Sequence, residues 1–148
     1  MYLIFLVSAV TIVPSSVFGA KAPSNRINIA QIGCGNQSRA DLPGMLRLAD
    51  AQVVAVCDVN KASGGYARKE HFLGRDPAQK KVNEHYAQKV RSGNYQGCDA
   101  YSDFRDVLAR EDIDAVMITL PDHWHALATV KACEAGKDVY CQKPMSLT

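Results

Sequence analysis

The stretch that most constrains the fold of this chain is residues 27–39, which read Ile-Asn-Ile-Ala-Gln-Ile-Gly-Cys-Gly-Asn-Gln-Ser-Arg. An apolar strand is predicted to run into a glycine-rich turn, and a helix is predicted to begin just after the turn. Such a turn and helix N-terminus can hold a dinucleotide pyrophosphate on free backbone N–H groups. The stretch therefore predicts a dinucleotide-binding unit, which the remaining chain should complete.

The glycine pattern is Gly33-x-Gly35-x-x-Ser38, which departs from the usual fingerprint at its third position. The first glycine permits the tight turn, and the second lets the backbone approach the pyrophosphate. Serine is small enough to replace the third glycine, and its hydroxyl could hydrogen-bond a phosphate. We predict that four residues of this turn contact the cofactor: Gly33, Gly35, Asn36 and Ser38.

Strands alternate with helices along the rest of the chain. Strands are predicted at 26–32, 52–57, 99–101, 114–119 and 138–141, and helices at about 38–49, 79–91, 103–110 and 123–135. This alternation predicts βαβ units, which wind right-handed into a parallel sheet with ligand sites at the carboxyl ends of its strands. The predicted fold class is therefore α/β, a Rossmann-type doubly wound parallel sheet.

Local signals add detail to three of the helices. Residues 74–77 (Gly-Arg-Asp-Pro) should break any long helix, Ser102 is a plausible N-cap, and Gly136 should stop the last helix. The apolar side of that last helix is predicted from residues at helical spacing: Ala126, Leu127, Val130 and Cys133.

An acid, Asp58, ends the second predicted strand, 25 residues after Gly33. A carboxylate there accepts hydrogen bonds from the adenosine ribose hydroxyls and would repel a 2′-phosphate, which favours NAD over NADP. Lys61 argues the other way, because a nearby cation can make room for that phosphate. The alternative role for Asp58 is that of a helix N-cap.

The segment 119–125, Thr-Leu-Pro-Asp-His-Trp-His, ends the clearest strand and is interpreted as a turn over the nicotinamide half of the cofactor. Its predicted cofactor contacts are Thr119, Pro121, Asp122 and His125. His123 and His125 lie two apart with no third ligand nearby, so no metal is predicted. Trp124 fits either core packing or a stacking wall for a sugar ring.

Gln142-Lys143-Pro144 also follows a strand end. A lysine at this position could bind substrate hydroxyls and move a proton, and burial beside a cationic nicotinamide would lower its pKa. On the tripeptide alone, a surface lysine in a loop is the simpler interpretation.

Bulk properties narrow the class of protein. The chain has 148 residues, which is enough for one domain. Its net charge of +2 gives no reason to expect a polyanionic partner. It has no basic run with interleaved aromatic residues, so nucleic-acid binding has no support. Five cysteines without a Cys-x-x-Cys spacing indicate neither a zinc site nor a disulfide framework.

The N-terminus differs from the rest, because residues 1–20 carry no charged side chain. A short apolar core before a small-residue site, with Val17 and Gly19 at positions −3 and −1, predicts a secretory signal peptide over residues 1–19 and a linker over 20–25. The protein is then expected in the periplasm or outside the cell, and in the cytoplasm if the leader is not functional. The alternatives are a membrane anchor or a misplaced start codon. Pro14 disfavours a spanning helix, and no integral span is expected.

Four motifs in order resemble the N-terminal domain of the Gfo/Idh/MocA oxidoreductase family. They are Ile-Gly-Cys-Gly at 32–35, Cys-Asp-Val at 57–59, Thr-Leu-Pro-Asp-His-Trp-His at 119–125, and Ala-Gly-Lys-Asp-Val-Tyr-Cys-Gln-Lys-Pro at 135–144. The resemblance covers about residues 26–148, and four motifs at matching strand ends are quite specific. The Pro-Asp-His-Trp-His form is similar to exported bacterial members.

The resemblance implies an NAD(P)-dependent enzyme that acts on sugars, inositols or related polyols. The family shares a Glu-Lys-Pro motif whose proline is often cis, so Lys143 is implied as the catalytic or substrate-orienting lysine. Gln142 replaces the glutamate. It can still hydrogen-bond the nicotinamide ribose, but it adds no negative charge to raise the pKa of Lys143.

The family carries a second α/β domain after this motif, with a substrate-binding surface and much of the oligomer interface. Residues 145–148 are too few to form that domain or the last strand of the cofactor domain, so the sheet is expected to be incomplete at its C-terminus, and the chain is interpreted as a truncated product or fragment. An oligomer is expected only with the second domain.

The main functional prediction is an NAD-binding domain of an oxidoreductase that acts on CH–OH groups, with a sugar-like substrate in a full-length parent. The alternatives are an NAD-dependent glycoside hydrolase of the same family, and a catalytically inert NAD-binding fragment.

Overall fold

The computed structural model describes residues 25–90, 93 and 95–147. The predicted signal peptide and residues 20–24 of the predicted linker lie outside these ranges. The elements in chain order are β1 (Ile27–Ile32), α1 (Asn36–Met45), β2 (Ala51–Cys57), β3 (Ser63–Gly64), β4 (Phe72–Leu73), α2 (Arg75–Ala87), β5 (Asp99–Tyr101), α3 (Phe104–Leu108), β6 (Ala115–Ile118), α4 (Asp122–Glu134) and β7 (Asp138–Cys141).

Five strands form one sheet in the order β5-β2-β1-β6-β7, and all neighbouring strands are parallel. The chain starts in the centre, moves outward through β2 to β5, and then crosses to β6 and β7 on the other side. This reversal makes β1 and β6 the switch point, where loops diverge and leave a crevice at the carboxyl ends of the strands. The predicted doubly wound parallel sheet is confirmed, and β3 and β4 form a separate antiparallel pair.

Two apolar clusters cover the two faces of the sheet. One joins β1 and β6 to α3 and α4 through Ile32, Ile118 and Ala128. The other joins β2 to α1 and α2 through Val53, Leu42 and Val82. The inner strand β2 is buried almost throughout, as its continuous apolar sequence requires for a parallel strand covered on both faces.

The first helix is shifted from its predicted range of 38–49. It begins at Asn36, directly on the glycine turn, and ends at Met45. The end comes early because the N–H groups of Arg47 and Leu48 bond to carbonyls three residues back, at Gly44 and Met45, and close a tighter turn.

The second helix begins at Arg75, four residues before its predicted start at Gln79. Gly74, with φ of +125°, is the residue before the helix, and Pro77 lies in the first turn, where a missing N–H costs no helical bond. The N–H of Arg75 is satisfied instead by the carbonyl of Asn60 at 3.0 Å. No described helix runs through this segment, so the expected break of any long helix is confirmed, and glycine and proline here also start the next helix.

The N-cap of α3 is Asp103, so the expectation of Ser102 is wrong by one residue. The Asp103 carboxylate accepts a hydrogen bond from the backbone N–H of Arg105 at 2.9 Å.

The predicted apolar side of α4 is also wrong. Leu127 and Val130 are 47% and 53% exposed, and the side that packs on the sheet carries His125, Ala128 and Ala132. Two alanines let the helix axis approach the sheet closely, which leaves the larger apolar side chains outside. The expected stop at Gly136 is confirmed, since this residue has a φ of +71° just after the helix.

No helix within the described ranges is both long and apolar enough to cross a membrane.

Candidate functional site

The carboxyl ends of β1, β2, β6 and β7 open into one crevice. Ten residues predicted from the sequence line it: Gly33, Gly35, Asn36, Asp58, Thr119, Pro121, Asp122, His125, Gln142 and Lys143. Ser38 does not line this crevice, because it is buried behind the glycine turn and faces a neighbouring cavity between α1 and α2. The fold thus brings together residues from four separate segments of the chain.

The two glycines of the turn serve different needs. Gly33 has a φ of +92°, and a Cβ there would lie 2.6 Å from the carbonyl oxygen of Thr119. Only glycine therefore allows β6 to approach the turn this closely. Gly35 faces open space, with no atom within 4 Å of the place that a Cβ would take, so the backbone is open to a ligand.

The N-terminus of α1 is free to bind an anion. Its N-cap is Gly35, which has no side chain to accept from the first N–H groups, and the first turn carries no acidic residue. The first N–H groups of a helix have no intrahelical partner and carry the positive end of the helix dipole. Asn36 and Gln37, the first two residues of the helix, line the crevice, and their own turn carries no competing carboxylate.

Asp58 links the end of β2 to the glycine turn. One carboxylate oxygen accepts the N–H of Cys34 at 2.6 Å, and the other accepts the N–H of Asn60 at 2.8 Å. Each oxygen keeps a further lone pair for a ligand hydroxyl. Asp58 caps no helix, since α2 begins only at Arg75. Lys61, the cation that argued for NADP, lies 4.0 Å from the Asp76 carboxylate in an exposed ion pair.

Thr119 fastens the end of β6 to the glycine turn. Its hydroxyl donates to the carbonyl of Gly33 at 2.8 Å and accepts from the Gln31 amide at 2.6 Å. Gln31 is completely buried in the central strand, and the sequence reasoning missed it. The available signal was a polar residue inside an otherwise apolar strand, which in a buried position needs a polar partner.

His125 holds the turn after β7 from the first turn of α4. Its Nδ1 lies 2.6 Å from the carbonyl oxygen of Pro144, and the side chain is 1% exposed. Because a carbonyl can only accept, Nδ1 carries a proton, and the buried Nε2 has no hydrogen-bond partner among the described residues. His123, in contrast, is exposed, and the described residues contain no group of three or more potential metal ligands.

The Lys143 turn is built on the end of β7. The backbone N–H of Gln142 bonds to the carbonyl of Ile118 at 2.9 Å, which continues the parallel pairing with β6. The Lys143–Pro144 peptide bond is cis. The exposed side chain of Lys143 borders the crevice, and no described carboxylate forms an ion pair with it.

Trp124 is not among the residues that line the crevice beside Lys143. It is 41% exposed, and its ring packs edge to face on Phe104 with centroids 6.4 Å apart. Together with Val59 these rings border a second, mainly apolar cavity, which shares Asp58 with the crevice. Trp124 is thus partly packed and partly free to cover a flat ligand at that end of the site.

The cysteines near the site are not activated. Burial, reinforced by the charge of Asp58, raises the pKa of the Cys57 thiol to about 12 and also raises the pKa of the Cys34 thiol. Both stay protonated near neutral pH and cannot act as thiolate nucleophiles. All five cysteines are unpaired.

Comparison with protein families places this geometry in context. Residues 27–148 match the GFO_IDH_MocA model, described as an oxidoreductase family with an NAD-binding Rossmann fold. Over 134 residues the chain is 29% identical to a glycosyl hydrolase family 109 protein of Shewanella baltica strain OS155, a match that covers 90% of this chain and 26% of that protein. The chain thus spans about a quarter of the length of the curated relatives it matches.

Solved structures share the same fold. A scyllo-inositol dehydrogenase from Lactobacillus casei, with bound NAD(H) and scyllo-inositol, superposes with a TM-score of 0.61 at 24% identity, over 83% of this chain and 29% of that one. A 3-ketoreductase from Actinomadura kijaniata, in complex with TDP-benzene and NADP, gives 0.57 at 24% identity, over 82% and 31%.

Proposed function

This chain belongs to the Gfo/Idh/MocA oxidoreductase family, and on that premise we propose that it is the NAD-binding part of an enzyme acting on a CH–OH group of a sugar or polyol. The observation that carries the proposal is the single crevice at the switch point of the sheet. It combines an uncapped helix N-terminus, the carboxylate of Asp58 and the turn that bears Lys143.

The residues present fit the dinucleotide along the length of this crevice. The N–H groups of Asn36 and Gln37 at the start of α1 would bind the pyrophosphate oxygens. Asp58 would accept the adenosine ribose hydroxyls with its remaining lone pairs, and a second phosphate beside it would be repelled. This supports NAD over NADP, and the ion pair of Lys61 with Asp76 supports it further.

The adenine ring would lie in the apolar cavity between Val59, Phe104 and Trp124. The aromatic rings of Phe104 and Trp124 offer stacking area to a flat base. The nicotinamide half would then reach the other end of the crevice, beside Thr119 and the Lys143 turn. NAD bound there supplies a hydride acceptor.

Lys143 is the residue proposed to act on the substrate. Its Nζ would hydrogen-bond the substrate hydroxyl and, as a neutral amine, take the hydroxyl proton when the adjacent carbon is oxidised. In the reverse direction the ammonium would return that proton to the carbonyl oxygen. Gln142, beside it, would accept or donate a hydrogen bond at the nicotinamide ribose without adding charge.

Calorimetric titration of the purified chain with NAD and NADP tests the cofactor part of the proposal. We expect NAD to bind more tightly, and Asp58→Ala to weaken NAD binding by about tenfold through loss of charge-assisted hydrogen bonds. The NAD affinity of Asp58→Asn should lie between those of the wild type and Asp58→Ala, because the amide keeps one acceptor oxygen. Absence of NAD binding to a chain that is folded by circular dichroism would contradict the proposal.

A glycoside hydrolase is the second candidate, favoured by the identity of 29% to a glycosyl hydrolase family 109 protein. The two candidates differ in their net redox change. A longer protein that contains this domain should be given chromogenic glycosides and free polyols in the presence of NAD. Equimolar NADH formation supports the dehydrogenase, whereas aglycone release without net NADH supports the hydrolase.

The third possibility, an inert NAD-binding fragment, concerns the 148-residue chain itself. We expect it to bind NAD and to show no turnover, because the chain covers about a quarter of its relatives' length.

We further propose that the protein is exported, which rests on the uncharged leader at residues 1–19. N-terminal sequencing of the protein from fractionated cells should find a chain that starts at Ala20 outside the cytoplasm. A cytoplasmic protein that retains residue 1 would contradict export.

A further inference from the structure

Asp41, on α1, reaches across to the Lys143 turn. Its carboxylate accepts a hydrogen bond from the side-chain amide of Gln142 at 2.9 Å, although the two residues are 101 positions apart. The same carboxylate accepts two hydrogen bonds from Gln37, one turn earlier on α1, at 3.1 and 3.0 Å. One acid thus connects the helix that begins at the glycine turn with the end of β7.

This contact fixes the orientation of the Gln142 amide. A carboxylate can only accept, so the NH₂ group of Gln142 must face Asp41. The carbonyl oxygen of the same amide then faces the other way and accepts the backbone N–H of Lys143 at 3.3 Å. The side chain of Gln142 therefore bridges Asp41 and the backbone of Lys143, and both of its ends are used.

We propose that Asp41 is a positioning residue for the Lys143 turn, and that it is the reason why position 142 carries an amide and not a carboxylate. This role for the turn rests on the proposed function, whereas the pairing of Asp41 with Gln142 does not. A glutamate at 142 would place a second carboxylate at hydrogen-bond distance from Asp41. The glutamine satisfies the carboxylate and holds the turn without charge repulsion.

The charges around this pair support the same conclusion. The described partners of Asp41 are Gln37 and Gln142, which are both neutral. The nearest cations along the two elements are Arg39 on α1 and Lys143 after β7, and neither forms an ion pair with Asp41 in the described part of the chain. Among the described residues, no cation therefore lies within ion-pair distance of Asp41 to offset an added carboxylate.

A charge exchange between the two positions tests the pairing. We expect Gln142→Glu to lower the thermal midpoint of the full chain progressively as pH rises from 5 to 8, because both carboxylates then ionise in the folded state. Asp41→Asn combined with Gln142→Glu should restore a midpoint whose pH dependence is that of the wild type, since an amide again faces a carboxylate. If the thermal midpoint is lowered as much in the double variant as in the single variant, the pairing of Asp41 with Gln142 is overturned.

Gln37→Glu is the matched control. It places the same new charge against the same carboxylate, but from an exposed position on α1, where solvent screens the repulsion. We expect it to change the midpoint much less than Gln142→Glu does. An equal effect of the two substitutions would show that only the added charge matters, and not the turn.

The role in the site is measured separately by NADH fluorescence titration at pH 8. We expect Gln142→Glu to weaken binding by about tenfold, as contacting residues in one network do when their pairing is broken. The double variant should recover it. If the wild type binds no NADH, the proposed function fails while the midpoint series still decides the pairing. If Gln142→Glu lowers the midpoint but leaves NADH affinity unchanged, the pair is structural only and the positioning role is overturned.

Discussion

At the residue scale, single atoms decide how close the strands can come at the site. Gly33 and Thr119 lie at the ends of β1 and β6, and there is no room for a methyl group between them. The same threonine satisfies the carbonyl of Gly33, so the close approach is also a hydrogen-bonded one. The sequence predicted the need for this glycine from the turn alone. It held no indication that the obstacle would be the carbonyl of Thr119.

Gly33→Ala should destabilise the chain strongly, because the new methyl group meets a backbone carbonyl and the left-handed conformation adds roughly 1–3 kcal/mol of strain. Gly35→Ala is the matched control, since its methyl group meets open space and its φ of −88° suits alanine. We expect this control to keep its urea midpoint but to bind NAD less well, with the methyl group in the path of the pyrophosphate. Equal stability of the two variants in urea denaturation would contradict this account.

His125 provides a second residue-scale test. His125→Leu removes the donor to the carbonyl of Pro144 and should cost about 1–2 kcal/mol of unfolding free energy. His125→Asn restores an N–H near the position of Nδ1 and should recover part of the lost unfolding free energy, as measured by urea denaturation. A histidine that serves only to fill space would instead be replaced better by leucine than by asparagine.

At the scale of elements, the sequence of α4 is compatible with either of two sides of the helix packing on the sheet. The large apolar side chains of α4 suggested one buried side, whereas the helix packs through alanines and His125. Spacing shows which residues share a side of a helix, but it does not show how close the helix lies to the sheet. Here the small residues permit close contact, and the exposed Leu127 and Val130 lie on the outer side.

Ala128→Leu and Ala126→Leu compare the two sides of α4 with one chemical change. Ala128 is completely buried, so three added heavy atoms should overpack the sheet contact and cost about 1–3 kcal/mol. Ala126 is exposed, and the same change there should shift stability by about 0.5 kcal/mol or less. Thermal unfolding of the two variants measures this difference. If Ala126→Leu is the more damaging variant, α4 packs through the side predicted from the sequence.

At the scale of the whole molecule, the reversal of strand order creates the site. The glycine turn, Asp58, the segment after β6 and the Lys143 turn lie far apart in sequence but at one edge of the sheet. Each is attached to a neighbour by a hydrogen bond: Asp58 to the glycine turn, Thr119 to the same turn, and His125 to the Lys143 turn. The crevice is therefore shaped before any ligand binds.

A crevice shaped in advance should bind NAD in the chain as it stands. At a free NAD concentration of 100 times the dissociation constant, the folded state gains about 2.7 kcal/mol, and the thermal midpoint should rise by several degrees. The same sample should produce no NADH when sugars or polyols are added. A midpoint that does not move at millimolar NAD would contradict binding, and steady NADH formation would show that the substrate-binding groups are already within this chain.

Local patterns in the sequence were sufficient to predict the parallel sheet, the order of its motifs and most residues of the crevice. Periodicity and turn chemistry are local properties of the chain, and parallel strands bring their carboxyl ends to one edge. The buried side of α4 and the polar groups that meet across the sheet depend instead on long-range packing. The pairs Gln31–Thr119 and Asp41–Gln142 join residues 88 and 101 positions apart, a separation at which local patterns carry no information about contact.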